Sequence, residues 1–244
     1  MRILVTNDDG IDSPGLHALS RRLTEVGRVT VFAPSYNASG ASAAIGHIGP
    51  GLPDVFAADI DELGDVDAAY HFEGPPALAV LLAGQGIFGE PPDVVVSGIN
   101  PGWNVGRSVH FSGTVGACIT GHSLGIPGIA VSQRSAETPD EQRWETAAEV
   151  AADLLDEVRS PIRLLNVNVP NLATGDLAGA RYTELGSRLP YSLHSPSLTT
   201  PDDGRHQADF ERFGPYDSPD GSDTDAVERG YVSITPLTPT SSER

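Results

Sequence analysis

Two adjacent carboxylates, Asp8 and Asp9, stand at the mouth of a short apolar run, Ile3 to Val5, in the opening stretch MRILVTNDDGIDS. The run reads as a buried parallel strand, and Asn7, Asp8, Asp9 and Gly10 do not favour continuing it. Acidic neighbours at a strand end repel one another and lose hydration, so a positive group has to offset them. A divalent cation held by oxygens does this, and Mg²⁺ or Mn²⁺ suits the donors better than a thiolate-loving metal. The competing reading of the same residues is a polar turn that caps the next helix. Further along, GTVGACITGHSLG, from Gly113 to Gly125, carries small residues through a helical stretch. They let it pack close to a sheet and leave its first amides open to phosphate.

Other residues carry two readings each. His110 is either a proton donor to a leaving oxygen or a packing contact. Asn7 either orients the aspartates or shapes the turn into the helix. Cys118, among small residues, reads as a buried hydrophobe and not a nucleophile. Trp103 and Tyr36 either stack on a planar group or serve subunit contacts. The acidic stretch Asp217 to Asp225 lacks calcium-loop spacing and reads as a solvated segment.

These residues need a scaffold, and the apolar patterning supplies one. Leu16, Leu19, Leu23 and Val26 fall at helical spacing over Pro14 to Val26, with Ser13 as cap and Pro14 as first helical residue. Val29 to Ala33 reads as a strand, and Ser35 to Gly51 as a loop that reaches the edge carrying Asp8. Ala77 to Leu82 predicts a helix, Val94 to Val96 a strand leading into Ser97–Asn100, and Ile129 to Val131 a strand. Glu141 to Val158 predicts an amphipathic helix and Leu164 to Val169 a further strand. Such alternation predicts an α/β fold with a doubly wound, mostly parallel sheet, its site beyond the carboxyl ends of the strands. Four places then converge: Asp8 and Asp9, the Ser39 loop, the Asn100 loop, and the helix start at Ser112 to Thr114.

The pattern breaks from Ala180 to about Gly230, where the chain is polar, with Tyr182, Tyr191, Phe210, Phe213 and Tyr216 scattered through it. That composition builds no core of its own and predicts an extended hairpin or arm packed on the body or on a second subunit. Tyr231 to Ile234 resumes as a strand. The expected division is a core over 1–180, an arm over 181–230, and a strand with a tail over 231–244.

With 244 residues the chain suffices for one sizeable α/β domain, and its formal net charge of −18 argues against nucleic-acid backbones or anionic membranes as partners. If the substrate is a phosphate ester, local cations must reverse that field. A single cysteine, no membrane-length apolar window and an N-terminus that enters a charged motif lead to the expectation of a soluble cytoplasmic protein.

The successive segments NDDGIDSPGLHAL, NASGAS, VVVSGINPGWNVG, FSGTVGA, GIPGIAVS, LNVNVP and GYVSITPL resemble the signatures of the SurE family, the survival-protein-E nucleotidases, from residue 1 to about 237. The resemblance implies a Rossmann-like three-layer core and a C-terminal arm exchanged within a homodimer or homotetramer. It also implies a divalent-metal-dependent phosphatase acting on nucleoside 5′- and 3′-monophosphates, some members also taking short polyphosphate. Carried onto this chain, it implies one metal ion, Mg²⁺ or Mn²⁺, held by Asp8, Asp9, Ser39 and Asn100. Asp8, Asp9 and Asn100 would be catalytic, with phosphate contacts from Asn104, Ser112, Gly113 and Thr114. Either a metal-activated water attacks phosphorus, the favoured reading, or an aspartate attacks first; amides at Gly113 and Thr114 would receive the developing charge.

Departures from the family pattern fall at Ser35, Tyr36 and Ala38, at Gly74–Leu78 (GPPAL), and at Thr120. None removes an implied metal ligand, and they bear on the substrate more than on the chemistry. Two alternatives therefore stand beside the nucleotidase: the same chemistry on a sugar phosphate or biosynthetic intermediate, and a nucleotide-binding module without hydrolysis. NDDG in place of a glycine fingerprint speaks against a dinucleotide cofactor.

Overall fold

A computed structural model describes residues 1–46, 51, 53–159, 161, 163–187, 194–200, 204–211 and 218–238. Its strands are β1 (Arg2–Thr6), β2 (Arg28–Pro34), β3 (Val55–Ala57), β4 (Ala68–Phe72), β5 (Val94–Pro101), β6 (Gly128–Gln133), β7 (Leu164–Val169), β8 (Ala180–Tyr182), β9 (His194–Thr199), β10 (Gln207–Glu211) and β11 (Val232–Leu237). The helices are α1 (Pro14–Thr24), α2 (Pro76–Gly84), α3 (Gly113–Ser123), α4 (Trp144–Asp153), α5 (Leu155–Arg159) and α6 (Asp223–Glu228).

Nine strands form one sheet in the order β3-β4-β2-β1-β5-β6-β7-β11-β8. The inner strands β4, β2, β1, β5, β6 and β7 are parallel, while β3 runs antiparallel to β4 and β11 antiparallel to β7. Ile3, Leu4 and Val5 are all buried because β1 is covered on both faces. Ile3, Val5, Val94 and Val96 pack with Leu16, Leu19 and Leu23 of α1 and Ala147 and Ala151 of α4. On the opposite face Leu4, Val95 and Ala130 pack with Leu78 and Val80 of α2 and Val115 and Cys118 of α3. The result is the expected three-layer α/β arrangement. From β1 the chain moves to β2 on one side and later returns to β5 on the other, which makes the β1–β5 gap the switch point where such sheets bind ligands.

Several expectations need correction. The first helix stops at Thr24, leaving Val26 outside it and exposed. β3 and β4 were not foreseen, and β5 runs on to Pro101, so Ser97–Asn100 belongs to a strand and not to a loop. The helix expected over Glu141 to Val158 is a short 3-10 turn at Pro139–Glu141 followed by two helices that meet at Leu154. The ends of the expected arm follow one of its two readings and pack on the body: β8 pairs with β11, and α6 buries Ala226 and Val227. Between them β9 and β10 form a separate antiparallel hairpin with Leu198 67% exposed. Tyr191, Phe213, Tyr216, Asp217 and the tail beyond residue 238 lie outside the described residues. No helix among the described residues is long and apolar enough to cross a membrane.

Candidate active site

The turn after β1 splits its polar side chains between the two faces of the sheet. Asn7 is fully buried; its Nδ2 donates to the Ser13 hydroxyl (2.6 Å) and the Gly10 carbonyl (3.0 Å), and its Oδ1 accepts from the Gly10 amide (3.2 Å). Of its two readings the structure therefore shows the turn-shaping one, and Ser13 caps α1 as expected. Asp8 turns toward α3. Its Oδ1 accepts from the Thr114 hydroxyl at 2.6 Å, and the nearby backbone amides of Gly113 and Thr114 also favour its charged form. Burial nonetheless holds the Asp8 carboxyl above its ordinary pKa, the hydrogen bonds opposing that shift only in part.

Asp9 is less well supplied. Asn37 Nδ2 reaches its Oδ1 at 3.4 Å, and its Oδ2 is buried with no hydrogen-bond partner. Burial first, and the charge of Asp8 second, push its pKa up to about 7. An acidic pair held at this cost with an orphaned oxygen matches what a hard cation would relieve.

Three segments close around this pair. The loop after β2 docks on it through the Ala38 amide, which donates to the Asp8 carbonyl (2.7 Å), and the Ser39 amide is steadied by Asn37 Oδ1 (2.9 Å). The same loop rests on the start of α3: Ser42 Oγ donates to the His110 carbonyl (2.8 Å), and a Cβ on Gly116 would lie 2.1 Å from the Ser42 carbonyl oxygen. Gly113 is equally constrained, since a Cβ there would meet Asp8 Cβ at 2.7 Å and Oδ2 at 2.8 Å. The third segment is the end of β5, beside β1, where Asn100 Nδ2 donates to the Gly102 carbonyl (2.6 Å) and leaves its Oδ1 as an acceptor.

Asn104 is clamped to the sheet. Its amide donates to Asn168 Oδ1, its carbonyl accepts from Asn166 and Asn168, and its Nδ2 donates to Ser132 Oγ (2.8 Å). Ser112 caps α3, accepting from the Val115 amide at 3.1 Å and keeping its own proton to donate. The Thr114 hydroxyl donates to Asp8, so α3 brings the start expected on phosphate directly beside the most buried carboxylate of the site.

The remaining candidates separate clearly. His110 lines a groove of about 560 Å³ with Val115, Ile119 and Leu237. Trp103 is anchored by Nε1 to the Val169 carbonyl and carries the Arg134 guanidinium 5.4 Å from its ring, whereas Tyr36 is 49% exposed. Cys118 is buried, its thiol pushed up to about 12 by burial, as a small hydrophobe would be. Asp223, expected in a solvated segment, is completely buried and accepts from the amides of Gly106, Gly186 and Thr224. A readable signal existed in SDTD before Ala226 and Val227: Ser222 accepts from the Asp225 amide, a capping pattern that starts α6.

The family model described as survival protein SurE matches residues 3–191. The chain belongs to the SurE family. It is 40% identical to the 5′/3′-nucleotidase SurE of Yersinia pseudotuberculosis serotype O:1b (strain IP 31758), over 97% of this chain and 89% of the relative. It is 41% identical to that of Cronobacter sakazakii (strain ATCC BAA-894), over 97% of this chain and 90% of the relative. The crystal structure of the SurE protein from Aquifex aeolicus superposes with a TM-score of 0.78 at 34% identity, covering 97% of this chain and 93% of that one. Against this SurE background the departure at Thr120 is locally satisfied, its hydroxyl donating to the Gly116 carbonyl within α3.

Proposed function

We propose that this SurE-family chain is a metal-dependent phosphomonoesterase that hydrolyses nucleoside 5′- and 3′-monophosphates to nucleoside and inorganic phosphate. The observation that carries the reading is the Asp8–Asp9 pair at the switch point, Asp8 buried and Asp9 half-buried, both raised in pKa, with Asp9 Oδ2 unpartnered. Relatives at 40% identity that are named 5′/3′-nucleotidases support it. The donor chemistry fits Mg²⁺ or Mn²⁺, one ion per subunit. Asp8, Asp9, Ser39 and Asn100 would hold it through oxygens, the donor type these hard cations take. When bound, such an ion neutralises phosphoryl charge and lowers the pKa of a coordinated water.

The chain's own residues divide the remaining work. Asp8, its Oδ1 held by the Thr114 hydroxyl, is the rigid anchor, and water is the nucleophile in this reading. Asp9 keeps one oxygen free to hold the cation or to take a proton from the attacking water. Asn100 presents its Oδ1 from the neighbouring strand. Ser112 donates its hydroxyl to a phosphate oxygen. Asn104 joins it once its amide is turned over, so that Ser132 donates to Oδ1 and Nδ2 faces the anion; the two orientations satisfy the Ser132 contact equally. Water then attacks phosphorus in line as Asp9 withdraws a proton from it, the ester P–O bond breaks, and that proton, returned through solvent, ends on the departing alkoxide, leaving Asp9 ionised again.

The β9–β10 hairpin, outside the main sheet and with Leu198 exposed, supports assembly into a homodimer or homotetramer through residues 188–217. A cytoplasmic setting accords with the single, buried cysteine.

Phosphate release is the test, measured across nucleotides, sugar phosphates and polyphosphate with Mg²⁺, Mn²⁺ or chelator, and with Asp8→Asn as control. Fastest release from nucleoside monophosphates, lost with chelator and in Asp8→Asn, is the expected result. Preference for a sugar phosphate would replace the substrate and keep the site, in line with the changed residues 35–38 and 74–78. Nucleotide binding without release would replace the enzyme by a binding module.

A further inference from the structure

We propose that Asp223 is a positioning residue for the phosphate-receiving loop, and that it ties this loop to both roots of the hairpin segment; the proposal rests on the phosphomonoesterase reading. Asp223 is fully buried, and its carboxylate has no cationic partner among the described residues. One oxygen accepts from the Gly106 amide at 2.7 Å. The other accepts from the Gly186 amide at 2.9 Å and the Thr224 amide at 2.8 Å. Its own amide donates to the Glu184 carbonyl at 2.9 Å. A buried charge is strongly unfavourable unless donors surround it, and here they come from three separate segments. Only a carboxylate offers acceptors on both sides, which an amide side chain does not.

What this carboxylate holds is the start of the 3-10 turn Gly106–His110, two residues beyond Asn104 and six before Ser112. The sheet grips the loop at Asn104, through Asn166, Asn168 and Ser132, and Asp223 grips it again at Gly106. The far end of the turn carries the Ser39 loop, because Ser42 donates to the carbonyls of His110 and Phe111. Asp223 therefore supports the phosphate side directly and the Ser39 side through one intervening turn. Gly186 lies just before residues 188–217 and Asp223 just after them, so a shift of the hairpin reaches the loop through the same group.

The test compares the full-length parent with Asp223→Asn and with Leu23→Ala, a core variant at the far end of α1 that loses stability without touching the loop. Below the melting temperature of each protein, KM for a nucleoside monophosphate and Kd for inorganic phosphate should rise about tenfold in Asp223→Asn, the scale at which loop misplacement is felt. Both constants should stay within twofold of the parent in Leu23→Ala. Amides of residues 105–111 should exchange hydrogen about tenfold faster in Asp223→Asn alone. Constants within twofold of the parent together with unchanged exchange would overturn the proposal. Should Asp223→Asn fail to fold, Asp223→Glu, which keeps both oxygens but moves them by one methylene, takes its place with the same criteria. A parent that releases no phosphate from any ester would overturn the enzyme reading, and the exchange comparison would then decide the tether by itself.

Discussion

Replacing Asp9 by asparagine should make the metal-free protein more stable while removing its activity. Burial and the Asp8 charge hold the Asp9 carboxyl at about 7 against an ordinary 3.8, so the folded chain binds this proton more tightly than the unfolded chain does. The stabilisation from that proton is complete below 3.8 and is lost as pH rises through about 7. At about 1.4 kcal/mol per tenfold, ionised Asp9 costs on the order of 4 kcal/mol at about pH 8. An amide of the same shape removes the charge but leaves a buried polar atom unpaired, which takes back roughly 2 kcal/mol. The net gain of about 2 kcal/mol corresponds to a rise in Tm of about 4–8 °C for a chain of this length. Thermal melts in chelator at about pH 8 and about pH 5.5 measure it, and the advantage should shrink at the lower pH, where the parent's Asp9 is itself protonated. Added Mn²⁺ should raise the parent's Tm and leave that of the variant nearly unchanged. A variant that melts below the parent in chelator at about pH 8, or an advantage that persists in acid, would refute the reasoning.

Gly113→Ala should fold yet lose about a hundredfold in kcat/KM, since its Cβ would fall 2.7 Å from Asp8 Cβ; steady-state kinetics beside a circular-dichroism spectrum checks both halves. Thr114→Val removes the 2.6 Å hydrogen bond that lowers the Asp8 pKa. Urea unfolding should show a loss of about 1–3 kcal/mol, and the acid limb of the kcat/KM profile should move to higher pH. Deleting residues 188–217 should reduce the mass measured by light scattering to that of a monomer, and an unchanged oligomer would remove the hairpin from the assembly.

The legible parts of the fold were those where one local pattern decides the outcome. Ile3–Val5 is an unbroken apolar run and Leu164–Val169 an apolar one broken only by Asn166 and Asn168, because inner strands are covered on both faces, and Ser13 and Ser112 announce helix starts by hydrogen bonding that depends on near neighbours alone. β3 and β4 stayed hidden because an edge pair needs little apolar patterning: Ala68, Tyr70 and His71 are half-buried, and the order of β3 comes from its pairing with β4. In the site, the acidic pair was legible because two adjacent carboxylates at a strand end demand an explanation. The hydrogen bond from the Thr114 hydroxyl to Asp8 was not, since it depends on how closely α3 approaches Asp8, a tertiary distance. Asp223 was masked by its company. Among Asp217, Asp220 and Asp225 it reads as one more solvated charge, and only the fold brings the amides of Gly106 and Gly186 to it.

Anomalous scattering from crystals grown with Mn²⁺ tests the central claim most directly. The account predicts one strong peak per subunit within bonding distance of Asp8 and Asp9, flanked by Ser39 and Asn100. A peak held by other side chains, or none at the acidic pair under conditions that support phosphate release, would contradict it.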